Sequence, residues 1–238
     1  MDTDTLQGTL YNLAESGTLS NPAYNTLLHD YARYHAVLFI EGGIFTLILV
    51  ALSVYFWRRF ISTQEIEFRK WSFEKKTYFS FGLAGAVITL FMFLIVTANL
   101  SNAINPQDGF IKSIPDLNTP QTGTQKALLY QAVNIWAKSG SDQMPLILQN
   151  EVNNRLSWQQ PKAVICSIFL VIFAIFTMRL WQHLIKISKI NHSVWVRKEK
   201  ALFVLGMISA PITLLLMLMS LANTQASFAP IMLTLLFG

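Results

Sequence analysis

One cysteine, Cys166, occurs among 238 residues. No disulfide can close within the chain, and a single sulfur cannot build a thiolate metal site. Charge is also sparse: Asp, Glu, Lys and Arg together make up 13% of the sequence. The usual signatures of chemistry are missing. There is no HExxH helix, no pair of acids within an apolar run, no His/Cys cluster, no GxSxG elbow, no phosphate loop and no dinucleotide-binding glycine pattern. The histidines stand apart, His29 and His35 early in the chain and His183 and His192 late in it. The expectation is a protein that is not an enzyme and holds no cofactor and no metal. The first 35 residues carry four acids, one Arg and no apolar core segment, so a secretory signal peptide is not expected.

What is abundant is apolar sequence, 53% of the chain. It is gathered into four runs at about 36–58, 77–100, 161–182 and 201–222. As helices, each is long enough to cross about 30 Å of hydrocarbon. The expected fold is an all-α integral membrane protein with four transmembrane helices.

The net charge of +5 is unevenly placed. Segment 58–76 carries six Lys/Arg and segment 179–200 six more, against four over the whole of 101–160. The positive-inside rule puts both basic segments in the cytoplasm and both termini outside, in a plasma (inner) membrane. Basic charge of this kind speaks of topology and of anionic lipid heads in the bilayer. Nucleic acid is not an expected partner.

The chain also repeats itself. With residues 44–106 laid on 168–230, a shift of 124, 18 of 63 positions are identical. The matches include residues that are not membrane filler: Trp57/Trp181, Trp71/Trp195, Lys76/Lys200, Asn99/Asn223 and Pro106/Pro230. At a shift of 123, "AESG" (14–17) meets "AKSG" (137–140) and Pro22 meets Pro145. Such periodicity marks duplication of a supersecondary unit. The expected organisation is repeat 1 over 1–106, a linker at 107–123 rich in Pro and Gly, and repeat 2 over 124–238. Two spans per copy make the copies parallel, related by an axis along the membrane normal. Each copy is expected to carry a helical outer layer. Leu128, Leu129, Ala132, Val133 and Trp136 follow helical spacing, as do Leu27, Leu28, Tyr31 and Tyr34. A second outer helix is expected to begin at each Pro and to precede the span.

Several residues stand out. Asn99 and Asn223 fall where spans two and four should end, so they read as helix caps or as paired amides lining a vestibule. Gly82, Ala86 and Thr89, with Gly206, Ala210 and Thr213, form small-residue stripes suited to close helix packing in a membrane. Trp57, Trp71, Trp181 and Trp195 read as interface anchors. Glu41, the one acid inside a span, is followed by Gly42 and Gly43. A carboxylate at that depth needs a partner or water. Lys162 and Arg33 are the candidate partners, and a cation or proton site is the functional alternative.

The functional expectation is a non-enzymatic subunit of an oligomeric channel or transport complex, with copies of itself or other membrane subunits as partners. The competing class is a membrane-embedded binding protein: an assembly subunit, or an immunity protein against a membrane-active toxin.

Overall fold

In the computed structural model the described residues are 5–16, 20–63, 71–117, 119–190 and 196–231. They form seven α-helices and a 3-10 turn, with no strand among them. The helices are α1 (Leu6–Glu15), α2 (Pro22–Ser62), α3 (Phe73–Ile104), α4 (Pro106–Ser113), α5 (Gln125–Ser139), α6 (Leu146–Ile190) and α7 (Arg197–Phe228). Four of them, α2, α3, α6 and α7, are long and apolar enough to cross a membrane.

The sequence explains where the helices start. The side chains of Thr5 and Thr124 accept from Gly8 N and Ala127 N, capping α1 and α5. Asn21 accepts from Tyr24 N at 2.9 Å, just before Pro22 opens α2. Glu199 Oε2 takes Val196 N at 2.9 Å at the head of α7, half of a capping box. Helix α5 stops at Gly140, whose φ of 63° is left-handed and suits glycine.

Three expectations need correction. The outer helices that begin at the two prolines are not separate from the spans. Helix α2 runs unbroken for 41 residues and α6 for 45. Nothing between Pro22 and Glu41 breaks a helix, and α6 carries Pro161 in its interior. Second, the segment 107–123 is not a plain linker. Pro106 opens α4, Pro115 falls in the 3-10 turn Ile114–Asp116, and Phe110, Ile114 and Leu117 are buried. Proline suits a first helical turn as well as a loop, so its count misled. Third, most of the basic residues sit on helix ends, not in loops: Arg58 and Arg59 on α2, Lys75 and Lys76 on α3, Lys186 and Lys189 on α6. Arg69, Lys70, His192 and Trp195 lie outside the described residues.

By contacts the chain divides into two compact units. The first comprises Met1–Ile40, Val96–Ala163 and Ala222–Gly238 and is built as a water-facing domain would be. Its core joins Leu10 of α1, Tyr24 and Leu27 of α2, Phe110 of α4, and Val133 and Trp136 of α5, all at most 2% exposed. Tyr24 and Tyr31 meet Phe110 edge-on at 5.8 and 5.5 Å, a favoured aromatic geometry. Polar ties join distant segments: Thr9 Oγ1 donates to Asn134 Oδ1 at 2.7 Å and Asn21 Nδ2 to Ala137 O at 2.8 Å. Gly109 permits a close approach, since a Cβ there would stand 2.5 Å from Asn102 Oδ1 and 2.7 Å from the Tyr31 hydroxyl. We call this the aromatic-core unit.

The second, four-helix unit comprises Glu41–Ile95 and Val164–Leu221. Met92 and Leu184 are buried in it at 1% exposure, yet many bulky apolar residues stay exposed. Leu47 is 70% exposed, Val87 and Leu90 62%, and Val164 60%, while Gly82, Gly206, Ser53 and Ser209 are buried. Small residues inside and bulky apolar residues outside are what helices packed in lipid require. Within this unit α2 packs on α3, α6 on α7, and Phe81 of α3 meets Trp181 of α6 edge-on at 4.8 Å. Glu74 of α3 and Lys189 of α6 pair at 3.0 Å.

Candidate functional site

Two kinds of feature occupy the interior of the four-helix unit: packing contacts that occur twice, and a polar cluster that occurs once.

The packing contacts involve the small-residue stripes. A Cβ on Gly82 would stand 3.3 Å from the Trp57 ring, and one on Gly206 would stand 3.2 Å from the Trp181 ring. Trp181 Nε1 also donates to Gly206 O at 3.3 Å. Each glycine therefore admits an indole from the preceding long helix. The tryptophans at 57 and 181 pack on helices, in addition to any contact with an interface. Further along the stripe Thr213 Oγ1 donates to Ser209 O at 2.8 Å and lies 3.1 Å from Thr177 Oγ1. Thr89 occupies the matching place on α3, with Ala86 and Ala210 half-buried on the same faces.

The polar cluster centres on Glu41. Ser220 Oγ of α7 donates to Glu41 Oε1 of α2 at 3.3 Å. Ser167 Oγ of α6 lies 2.8 Å from Ser220 Oγ, and either hydroxyl can donate. Three helices thus bring a carboxyl and two hydroxyls into one hydrogen-bonded chain. Thr46, one turn along α2, directs its hydroxyl to Gly42 O at 2.7 Å instead. Gly43 has no atom within 4 Å of where its Cβ would stand, so it is not a packing glycine.

The other sequence candidates lie in the aromatic-core unit. Lys162 Nζ sits 4.1 Å from the centroid of the Trp158 ring, within cation–π reach. Asn99 and Asn223 are not helix caps: α3 runs on to Ile104 and α7 to Phe228. Asn99 Oδ1 is instead 2.6 Å from Nδ1 of His35, which is 9% exposed. Asn223 O accepts from Ser227 Oγ at 2.8 Å, and Gln225 Nε2 donates to Tyr34 O at 3.1 Å. Glu41 therefore falls in one unit, and Lys162, Asn99 and Asn223 in the other.

Sequence reasoning singled out Glu41 but not Ser220 or Ser167. A serine in an apolar run carries no signal alone. Under the sequence shift of 124, Ser220 stands against Val96 and Ser167 against Gly43, so neither hydroxyl recurs.

The four long apolar helices, with glycines and serines inward and many bulky apolar residues outward, are compatible with a multi-pass helical membrane protein. Comparison with protein-family models, curated proteins and solved structures gives no match for the chain.

Proposed function

We propose that this protein is a non-enzymatic membrane subunit of a transport or channel complex, with the four-helix unit carrying the path. The observation that carries this reading is the Glu41 carboxyl, held by Ser220 inside that unit. An acid within a membrane span is costly, and such groups mark ion and proton paths. The chain is read as two parallel two-span copies, a reading supported by the paired Trp57/Gly82 and Trp181/Gly206 contacts at one sequence shift. The basic helix ends face the cytoplasm of a plasma membrane and both termini lie outside, a reading that rests on the positive-inside rule.

Two measurements test this. For topology, Cys166 is first replaced by Ser. A membrane-impermeant thiol reagent added outside is then expected to label Glu15→Cys and Pro120→Cys and to spare Gln64→Cys and Ser188→Cys; the reverse pattern rejects the orientation. For activity, the purified protein in liposomes is expected to dissipate a proton or sodium gradient, alone or with the subunits that co-purify. Glu41→Gln is expected to reduce that flux at least tenfold.

The second reading is a binding or assembly subunit. It is favoured by α5, whose Leu128 and Ile135 are 55% and 59% exposed on the aromatic-core unit. A stoichiometric foreign partner with no flux in liposomes selects it.

A further inference from the structure

We propose that Glu41, Ser220 and Ser167 form a binding site for a small monovalent cation, a proton or sodium. The proposal deepens the transport reading and rests on it. The oxygens come from three helices: Glu41 on α2, Ser167 on α6 and Ser220 on α7. A carboxylate and hydroxyls are hard oxygen ligands, the set that takes alkali and other hard cations in preference to soft metals.

The hydroxyls give the cluster a property that apolar packing lacks. A hydroxyl donates one hydrogen bond and accepts others. With the site empty and Glu41 ionised, Ser220 donates to the carboxylate, which is the contact observed. With a cation present, the same hydroxyls rotate and offer lone pairs. With a proton bound, the neutral carboxyl donates into the serine chain. In each state the two serine hydroxyls keep a partner by exchanging donor and acceptor roles.

The repeat separates this cluster from the packing machinery. Under the shift of 124, the Trp/Gly contacts recur in both halves, whereas Glu41, Ser220 and Ser167 stand against Ile165, Val96 and Gly43. A device needed to pack a two-span hairpin would be wanted in both. The matching positions hold no oxygen-bearing side chain, so a duplicated chain has one site, not two.

Few other groups titrate nearby within the four-helix unit. Cys166 adjoins Ser167 on α6, and Tyr55 lies toward the basic end of α2; between residues 79 and 95 of α3 and 201 and 221 of α7 no side chain titrates. In the other direction along the same two helices stand Arg33 and His35 on α2 and Lys162 on α6.

The test is modification of the full-length protein in detergent by dicyclohexylcarbodiimide, an apolar reagent that reacts with protonated carboxyls. The adduct is located by peptide mass analysis. The expected result is an adduct on Glu41 whose formation falls about tenfold per pH unit above its midpoint, as for one titrating group. Sodium chloride protects Glu41, relative to choline chloride, if sodium binds; a pH dependence without sodium protection identifies a proton site. Ser220→Ala is expected to shift the midpoint of labelling, because Ser220 is the hydrogen-bond partner of the carboxyl. No adduct on Glu41 in the wild-type protein, or one that forms at the same rate across pH, overturns the site. An unchanged midpoint in both Ser220→Ala and Ser167→Ala removes the serines from it. Since labelling needs no flux, a labelled but transport-inactive protein keeps the site and rejects the transport reading.

Discussion

The aromatic-core unit and the four-helix unit share helices yet differ in what they leave exposed and in how closely their backbones approach. In the first, Trp136, Tyr24, Phe110 and Leu27 lie at or below 2% exposure, and threonine and asparagine side chains close the helix starts. In the second, Gly82, Gly206 and small hydroxyl residues share the buried positions with Met92, Leu184 and a few other large apolar residues, while Leu47, Val87, Leu90 and Val164 point outward. On the membrane reading the difference is one of solvent. Where water surrounds a helix, removing large apolar side chains from it supplies the driving force. Where hydrocarbon surrounds it, nothing is gained by hiding leucine, and close backbone approach with hydrogen bonding decides what faces inward.

The sharpest way to break this comparison is to make one change in both settings. Leu10→Ala removes a fully buried side chain of the aromatic-core unit and is expected to destabilise it by about 2–5 kcal/mol. Leu47→Ala, at a residue 70% exposed, is expected to stay within about 0.5 kcal/mol in detergent micelles. Thermal unfolding of the two variants by circular dichroism measures both; equal losses would mean the units do not differ in solvent.

Glycine substitutions probe the same contrast from the side of close approach. Gly206→Leu drives a side chain into the Trp181 ring, 3.2 Å from the Cβ position, and is expected to cost about 1–3 kcal/mol or more through overpacking. Gly82→Leu, facing Trp57 at 3.3 Å, is expected to behave alike. Gly43→Ala, with open space at its Cβ, serves as the neutral control. Tryptophan fluorescence during unfolding reads the repacking directly. Wild-type stability in both leucine variants would reject the glycine contacts as the basis of packing.

The smallest expected effect concerns Tyr130 of the aromatic-core unit. Its hydroxyl is buried with no hydrogen-bond partner among the described residues, and burial pushes its pKa up to about 12 from 10.0. The neutral phenol is therefore favoured by the fold. Its contribution is complete below pH 10.0 and is lost as pH rises toward about 12. Tyr130→Phe is expected to leave neutral-pH stability unchanged or slightly raised, since no bond is lost. It is also expected to flatten the fall in stability over that alkaline range. A clear loss at neutral pH would reveal a bound partner for the hydroxyl.

The four long helices were legible because apolar length is a strong signal. The outer helices were legible from spacing at Leu27, Tyr31, Leu129 and Val133. Their fusion with the long apolar runs was not, because a change from mixed to apolar composition along a helix looks like an element boundary in sequence. Helix α4 was hidden by prolines that mark starts as readily as loops. Asn99 and Asn223 misled because Asn is common at helix ends, while the bond from Asn99 to His35 spans 64 positions in sequence. Trp57 and Trp181 read as anchors because only the fold brings a glycine to each ring. Glu41 was visible as a lone acid, but its serine neighbours are ordinary in composition and distant in sequence.

That distance has a consequence in time. Ser220 follows Glu41 by 179 residues. At about 5–20 residues per second, a ribosome needs roughly 10–35 s to travel from one to the other. On the membrane reading, the first span enters the bilayer while its acid has no serine to accept from, and the fourth long helix delivers that hydroxyl. The nascent chain must tolerate Glu41 near the rim, as a neutral acid or in contact with water, until the fourth helix arrives. The polar cluster thus closes only after the fourth long helix has been made.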